Sequence, residues 1–366
     1  MGFDRRLIQH FDWMLFFLTA GLVSIGVLGI YSATYEGAEY SGPWVTRQVV
    51  WVLVGLVGMA LAFAIDYRHF EQWAYVFYVV ALCLLILVPL VGSFGGGARR
   101  WIHLGPFSLQ PAEFMKIGLL LVIARFFNRY VPAEGYGIRD ILIPAVFVAL
   151  PAVLILLQPN LGTTVTLGLL FLTLAFVAGL RLRSIAVLSL LGSAILPFVW
   201  ARLQPYQRQR MTSFLHPDVD PLGAGYHMIQ AKVTVGSGML WGKGFLLGTQ
   251  NRLDFLPEKH TDFIFAVLAE EWGFVGTIGL LLLYGALLAR LIVIALRARE
   301  RFGLLIAVGA AGMVFWQIII NIGMNVGVLP VVGVPLPLLS YGGSSLLTMM
   351  VALGLALNVS TRRFLF

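Results

Sequence analysis

The chain has 366 residues, of which 59% are hydrophobic and only 11% are charged, and its mean hydropathy is +0.90. This balance excludes a soluble globular protein and indicates a polytopic membrane protein. The net charge of +8 could suggest nucleic-acid binding, but the excess basic residues are scattered through short loops, so no nucleic-acid partner is expected. A single cysteine, Cys83, excludes an internal disulfide and a thiolate metal site.

Ten apolar stretches follow along the chain, most of them about 18 to 25 residues long, which is enough to cross roughly 30 Å of hydrocarbon. They predict an all-α polytopic membrane protein with about ten transmembrane helices, in a single domain of residues 1–366. A long extracytoplasmic loop, residues 204–261, is expected between helices 7 and 8. The stretch at 263–295 exceeds what a bilayer needs, so it should tilt or extend beyond the membrane. The predicted spans are 12–33, 47–65, 71–92, 107–127, 141–157, 162–180, 184–203, 263–295, 303–325 and 343–361.

Basic residues in the short loops indicate the orientation, because such residues favour the cytoplasmic side. They recur in every second loop, as in Arg181 with Arg183 and Arg362 with Arg363. Both termini are therefore expected in the cytoplasm, and the 204–261 loop on the outer face.

A charged segment ends at Asp262 and runs directly into a long apolar helix. A carboxylate at the boundary between water and lipid can still ionise while its neighbours are held by the membrane, which is the setting that a general base needs. Two further acids follow within the apolar stretch. At about 100° per residue, Glu270 projects about 80° from Asp262 and is expected to face the same cavity, whereas Glu271 projects about 180° away and needs another partner.

The fourth span carries Glu113 and Lys116, three residues apart on one helix face. An unpaired ammonium in the membrane would be costly, so the two side chains are expected to pair. The pair can be a structural ion pair that orients helices, or it can form the wall of a polar cavity. Both interpretations remain open from sequence.

Residues 95–103 suit a lipid diphosphate, because they join glycines, expected to form a flexible loop, to Arg100 and Trp101. Arginine forks match phosphate oxygens, and tryptophan anchors at the level of the lipid headgroups. An ordinary interface anchor explains the same residues equally well. Arg47 and Arg210 add charge on the same outer side, and together these residues predict an anion-attracting rim.

Two uncharged or weakly charged segments are expected to approach the membrane without crossing it. Residues 226–244 alternate apolar and polar side chains and predict an interfacial or re-entrant segment without a nucleotide-binding pattern. Residues 325–342 are rich in proline and glycine, so this non-helical backbone should be covered by protein. Ser340 and Tyr341 are candidate hydrogen-bond donors to a ligand, with capping of the loop as the competing role.

No histidine spacing typical of a dedicated metal site occurs in the sequence. A tightly bound cofactor is therefore not expected. A loosely bound divalent cation, Mg²⁺ or Mn²⁺, arriving with a diphosphate is compatible with the sequence.

Several motifs resemble the SEDS family of bacterial shape, elongation, division and sporulation proteins. They appear in the family's order and span nearly the whole chain. The short start and compact length are more similar to the elongation members than to the division members, which carry extra terminal sequence. The motifs are Arg100-Trp101-Ile102, Gln110 to Glu113, Gln158 to Gly162, Leu256 to Phe265, and Pro335 to Ser344.

This resemblance implies a peptidoglycan glycosyltransferase that polymerises lipid II at the outer face of the inner membrane during cell elongation. It implies a class B penicillin-binding protein as the transpeptidase partner, other elongation-complex proteins, and contact with membrane lipids. The family's essential aspartate corresponds to Asp262, and its cavity-lining Glu-x-x-Lys pair to Glu113 and Lys116. The family commonly has an aspartate where this chain has Asn160, so Asn160 receives no catalytic role.

The chemistry of that reaction agrees with the residues. Forming a β-1,4 bond from an α-linked diphosphate donor inverts the anomeric carbon and requires one base and stabilisation of the departing diphosphate. Asp262 is the predicted base. Arg47, Arg100, Lys116 and Arg210 are the candidates for contact with the diphosphate.

Three alternatives remain at this stage. A lipid II flippase would use Glu113, Lys116 and Glu270 along its path. A non-catalytic scaffold for the penicillin-binding protein would not require Asp262. A division member of the same family would catalyse the same chemistry.

Overall fold

The computed structural model describes residues 10–35, 42–95, 98–105, 107–202, 205–215, 224–252, 256 and 258–363. These residues form thirteen helices and one small sheet. The helices are α1 (Trp13–Ala33), α2 (Gly42–Ala64), α3 (Tyr67–Val91), α4 (Pro111–Arg129), α5 (Ile138–Leu157), α6 (Leu161–Ala178), α7 (Leu182–Arg202), α8 (Pro205–Leu215), α9 (Ala224–Ser237), α10 (Thr249–Arg252), α11 (Ile264–Leu296), α12 (Arg301–Asn325) and α13 (Gly343–Arg362).

A helix occurs at each of the ten predicted spans. Eight of the described helices are long and apolar enough to cross a membrane, namely α1, α2, α3, α5, α6, α11, α12 and α13. The other two, α4 and α7, also lie where spans were predicted, and the charged residues of α4 lower its hydropathy. The prediction of an all-α polytopic membrane protein is confirmed.

Helices α12 and α13 are the most buried of the eight apolar helices and form the centre of the bundle. Close approach of α13 to α2 depends on Gly354, because a Cβ there would lie 2.5 Å from the Met59 carbonyl oxygen. Helix α3 packs along α4, and α11 packs along α12. This arrangement gathers the ends of several spans around one cavity.

Basic residues from several helix ends lie at one end of the bundle. Arg68 Nη2 lies 2.5 Å from Glu300 Oε1, and Arg290 Nη2 lies 2.8 Å from Asp12 Oδ2. Ser360 at the end of α13 also donates to Asp12. Residues 1–9 and 364–366 lie outside the described residues, so the predicted location of the termini is not tested.

Helix α11 is not the continuous helix that the sequence predicted, because it breaks at Gly273, where φ is 66° and ψ is −166°. Residues 264–272 and 274–296 are therefore two helical segments. Backbone groups freed by a break at membrane depth need partners within the protein. The expectation that the long 263–295 stretch tilts or extends beyond the membrane stays a prediction.

Turns that follow α9 supply those partners. The N–H groups of Lys243 and Gly244 donate to the carbonyls of Glu270 and Glu271, at 2.9 and 3.0 Å. Beyond the break, α11 donates to these turns instead. The Phe274 N–H donates to the Met239 carbonyl at 2.8 Å, and the Val275 N–H donates to the Leu240 carbonyl at 3.1 Å. The segment at 226–244, predicted to be interfacial or re-entrant, is thus helix α9 packed against α11, followed by turns bonded to its interior.

The described residues of the glycine-rich loop predicted at 95–103 belong to a small sheet. Strands β1 (Ser93–Gly95), β2 (Ala98–Leu104) and β3 (Phe107–Leu109) pair antiparallel in that order. Pairing satisfies the backbone groups of this segment, which a flexible loop would leave to water. Residues 96, 97 and 106 lie outside the described residues.

The predicted loop at 204–261 contains the short helices α8, α9 and α10. Residues 204, 216–223, 253–255 and 257 of that range lie outside the described residues. Its final residues lead directly into α11 and place Asp262 at the start of that helix.

Candidate active site

A cavity of about 540 Å³ opens at the end of the bundle opposite the basic residues. Its walls come from the start of α2, the small sheet, the α5–α6 corner, the segment before α11 and the loop between α12 and α13. The residues that border it include Trp44, Arg47, Trp51, Ser93, Arg100, Trp101, His103, Ser108, Gln110, Pro159, Asn160, Met211, Glu258, Thr261, Asp262, Val331, Gly333, Tyr341 and Gly342. Several separate motifs of the sequence therefore meet in one place.

Asp262 borders this cavity and is half-buried. It directly precedes Phe263, the N-cap of α11. The loop between α12 and α13 lies against its carboxylate, since a Cβ on Gly333 would lie 3.4 Å from Asp262 Oδ2. Glu258 borders the same cavity and accepts a hydrogen bond from the Thr261 hydroxyl at 3.1 Å. Two carboxylates thus lie at this wall.

Arg100 borders the cavity and is held by backbone carbonyls. Its Nε donates to the Gln158 carbonyl oxygen at 3.0 Å, and its Nη2 donates to the Pro159 carbonyl oxygen. These bonds fix the guanidinium between strand β2 and the α5–α6 corner. Asn160 at that corner caps α6, with its Oδ1 accepting from the Thr163 N–H at 3.3 Å.

Arg47 is exposed on the first turns of α2 and borders the same cavity. Its guanidinium carbon lies 6.0 Å from the ring centroid of Trp44. Burial raises the pKa of the Tyr341 hydroxyl, and the charge and hydrogen bond of Arg47 partly oppose this rise. Two of the four predicted diphosphate contacts, Arg47 and Arg100, therefore share the cavity with Asp262.

Aromatic rings join the segment before α11 to the rest of the wall. The ring of Trp44 lies 4.7 Å from that of His260 and 5.1 Å from that of Tyr341. Burial lowers the pKa of His260, with smaller and opposing effects from Glu258 and Lys259. The lowered pKa favours the neutral imidazole at pH 7.

Ser340 does not border the cavity. Its hydroxyl donates to the Thr261 carbonyl oxygen at 2.6 Å and accepts from the Leu336 N–H at 2.8 Å. Of the two roles predicted for Ser340, the structure therefore shows the capping of the loop.

Glu113 and Lys116 form the predicted pair, with Lys116 Nζ 2.7 Å from Glu113 Oε1. Both side chains are almost completely buried, and neither borders the cavity that contains Asp262. Gln110, the residue before their helix, borders this cavity. The structure shows the ion pair, and a polar cavity wall formed by Glu113 and Lys116 stays a prediction. Direct contact between Lys116 and a diphosphate in this cavity is not supported.

Glu270 does not face the cavity either. Its side chain is 0% exposed, and its Oε1 accepts from Lys243 Nζ at 2.7 Å and from the Gln250 N–H at 3.0 Å. Glu270 was predicted to face the cavity from its helical angle relative to Asp262. The segment after α9 covers the face of α11 that carries Glu270, so this side chain does not reach the cavity. Glu271 meets the partner that the sequence required, the hydroxyl of Ser32.

Arg210 belongs to α8, next to Met211, which borders the cavity. The position of its side chain lies outside what the structure describes. Within the described ranges, no three histidine, cysteine, aspartate or glutamate side chains converge on a metal site.

Asn321 and Asn325 were not predicted. Both are completely buried in α12, and both contact the backbone of Asp262. Their spacing of four residues within an apolar helix is the signal that could have identified them.

Several known proteins are similar to this chain over nearly its whole length. The peptidoglycan glycosyltransferase MrdB of Escherichia coli is 42% identical over 355 residues, which cover 97% of this chain and 94% of that protein. The stage V sporulation protein E of Bacillus subtilis is 40% identical over 357 residues, covering 95% of this chain and 96% of that protein.

Solved structures are also similar to this chain over nearly its whole length. A chain from a peptidoglycan synthase complex, described as coordinating polymerization and crosslinking, superposes with a TM-score of 0.82 at 37% identity, covering 97% of this chain and 98% of that one. The rod shape determining protein RodA of Thermus thermophilus superposes with a TM-score of 0.72 at 34% identity, over 97% of this chain and 98% of that one. The profile of the FtsW, RodA and SpoVE family, a family of cell cycle proteins, matches residues 12–364. The chain belongs to this SEDS family and is a multi-pass membrane protein.

Proposed function

We propose that this chain is a peptidoglycan glycosyltransferase that polymerises lipid II into β-1,4 glycan strands during cell elongation, with Asp262 as the general base. The observation that carries the proposal is one cavity bordered by the Asp262 carboxylate and by the guanidinium groups of Arg47 and Arg100. The relatives whose names state this activity match nearly the full length of the chain.

The reaction needs two kinds of group in the same place. Asp262 takes the proton of the acceptor sugar hydroxyl as its oxygen attacks the anomeric carbon of the donor. The bond from that carbon to the diphosphate breaks, and the diphosphate leaves on its polyprenyl chain. Arg47 and Arg100 stabilise the charge that develops on the leaving group. Arg210 is a further candidate because its helix reaches the cavity through Met211.

A cation can join this chemistry without a dedicated protein site. Mg²⁺ and Mn²⁺ take carboxylate oxygens together with phosphate oxygens and water. Glu258 and Asp262 border the same cavity and offer such oxygens. We therefore include in the proposal a loosely held cation that arrives with the diphosphate, and no tightly bound cofactor.

The proposed setting is the inner membrane, with both termini in the cytoplasm. The basic ends of the helices lie opposite the cavity, and basic residues favour the cytoplasmic side, so the cavity opens outward. The proposed partner is a class B penicillin-binding protein that crosslinks the new strand, within a larger elongation complex. Support comes from the matched chain, which was solved in a peptidoglycan synthase complex.

A lipid II flippase is the principal rival. That hypothesis placed Glu113, Lys116 and Glu270 along a path, but the structure buries all three away from the cavity. The glycosyltransferase hypothesis instead uses residues that do meet. It is therefore favoured by the placement of the side chains.

The test is glycan synthesis from lipid II in detergent by the purified chain with its penicillin-binding partner. Moenomycin silences contaminating enzymes of the unrelated glycosyltransferase family. No membrane separates two compartments in detergent, so a flippase or a scaffold makes no glycan. We expect glycan from the wild type and from Glu134→Ala, which alters an exposed ion pair with Arg181 at the opposite end. The absence of glycan from an assembled wild-type complex would overturn the proposal.

A further inference from the structure

Two buried carboxamides lie directly behind Asp262. Asn321 and Asn325 occupy successive turns of α12 and are both 0% exposed. The Nδ2 of Asn321 lies 3.0 Å from the Asp262 carbonyl oxygen, and the Nδ2 of Asn325 lies 3.1 Å from the same oxygen. Two donors from one helix thus converge on one backbone acceptor.

The orientation of the Asn321 carboxamide is determined by its surroundings. Its Nδ2 also donates to the Val334 carbonyl oxygen at 2.8 Å, so both of its hydrogens are used. The reverse orientation would place an amide oxygen against two carbonyl oxygens. Asn321 therefore ties the segment before α11 to the loop between α12 and α13, the two segments that meet at the Asp262 carboxylate.

Three consecutive carbonyls before α11 are held in this way. The His260 carbonyl accepts from the Tyr341 N–H at 2.9 Å, and the Thr261 carbonyl accepts from the Ser340 hydroxyl at 2.6 Å. The Asp262 carbonyl accepts from the two asparagines. The backbone of this segment is thus fixed residue by residue up to the carboxylate.

Holding the Asp262 carbonyl oxygen in place restricts rotation about the bond between Cα and the carbonyl carbon. This restriction limits the directions that the Cα–Cβ bond can take, and the carboxylate extends from that bond. A general base must lie within hydrogen-bond reach of the proton that it abstracts. Displacement by about 1 Å can lower a rate by about 100-fold. A buried donor pair on a rigid helix is well suited to prevent such displacement.

We propose that Asn321 and Asn325 are positioning residues that hold the Asp262 carboxylate in its productive place through the Asp262 backbone carbonyl. This inference rests on the proposed function, since it assigns the asparagines to the same site. Neither asparagine borders the cavity.

A matched control is available at the other end of the molecule. Asn358 of α13 is also 0% exposed, and its Nδ2 donates to the carbonyls of Ala62, Phe63 and Ile65 at the end of α2. Asn358→Ala removes a buried carboxamide of the same kind without altering the cavity. A purely structural role for Asn321 predicts that Asn321→Ala and Asn358→Ala behave alike.

The experiment compares Asn321→Ala, Asn325→Ala, Asn358→Ala and Asp262→Ala in the complex with the penicillin-binding partner. Thermal stability, kcat and KM for lipid II, and hydrogen exchange over residues 258–263 are measured for each. We expect kcat to fall about 100-fold in Asn321→Ala with KM nearly unchanged. Exchange over 258–263 should be faster in Asn321→Ala and Asn325→Ala but not in Asn358→Ala. If Asn321→Ala does not fold, Asn325→Ala provides the test, because it removes the second donor to the same carbonyl.

Wild-type kcat in a folded Asn321→Ala or Asn325→Ala variant would overturn the inference, as would equal loss of kcat in Asn358→Ala. Such a result with an inactive Asp262→Ala leaves the proposed function intact. An active Asp262→Ala instead removes Asp262 from the proposed mechanism and leaves the asparagines nothing to position.

Discussion

Lys243 Nζ lies 2.7 Å from Glu270 Oε1 and joins the segment after α9 to the short helix that begins just beyond Asp262. The Lys243 side chain remains 28% exposed, whereas the Glu270 side chain is 0% exposed. The same turn donates its backbone N–H to the Glu270 carbonyl. The half-helix 264–272 is thereby held at its far end by one neighbouring segment and at its near end by the asparagines of α12.

Replacing Lys243 by methionine should destabilise the protein, because a buried carboxylate loses its counter-ion. Loss of one partner of a buried pair costs about 3 kcal/mol or more, and the remaining donors to Glu270 keep the effect near that lower figure. Thermal unfolding of Lys243→Met measures it. The double variant Lys243→Met with Glu270→Gln should recover part of the loss in stability, since position 270 then carries no buried charge that lacks its counter-ion. An unchanged melting temperature in Lys243→Met would contradict this view of the pair.

Gly273→Ala should abolish the folded protein. Its φ of 66° with ψ of −166° is a conformation open essentially only to glycine, and an added Cβ would overlap the backbone of Gly242. Gly279→Ala is the control on the same helix, because a Cβ there meets nothing within 4 Å. Yield of monodisperse protein and melting temperature distinguish the two. Equal behaviour of the two variants would show that the break is not required.

Arg100→Ala should lower the rate of glycan synthesis by about 10² to 10³-fold, because it removes a preoriented cation from the cavity. Arg99→Ala is the matched control. Arg99 is adjacent on strand β2, is exposed and donates to the Pro89 carbonyl, but does not border the cavity. Initial rates with saturating lipid II measure both. Comparable losses in the two variants would indicate that the sheet, rather than the Arg100 guanidinium, supports activity.

Acidification should destabilise the segment before α11 through His260. Burial lowers the pKa of this imidazole in the folded protein, so the unfolded state binds its proton more readily. Its contribution to stability is complete above the unfolded pKa of about 6.5 and is lost as the pH falls through the lower folded value. Melting temperatures between pH 8 and pH 5 should decline more steeply for the wild type than for His260→Gln. Parallel curves would exclude this contribution.

Hydrophobic length was sufficient to predict the spans, because the bilayer imposes it on each helix separately. It could not reveal the break in α11, since a single glycine inside an apolar stretch is compatible with a continuous helix. The break became visible only through Gly242, which is distant in sequence and packs against Gly273. The small sheet escaped prediction for a similar reason, because its strands are short and are separated by glycines.

Asp262, Arg47 and Arg100 could be assigned to one site because each follows or precedes an apolar span on the same side. The error on Glu270 has a different origin. A helical angle states where a side chain points, but not which segment covers that face, and here the turns after α9 cover it. Asn321 and Asn325 escaped notice because their partners are backbone carbonyls, which carry no signal in the sequence.

Asp262 is proposed to remove a proton during glycan formation, and the rate of glycan synthesis as a function of pH tests this role. This measurement requires the assembled complex under conditions in which chemistry limits the rate, with wild type and Asp262→Asn compared. Asparagine keeps the size of the side chain and removes its basicity. The wild-type rate should rise with pH to a plateau, and Asp262→Asn should be slower by about 10² to 10⁴-fold. A pH-independent wild-type rate, or wild-type speed in Asp262→Asn, would contradict the role of Asp262 as general base.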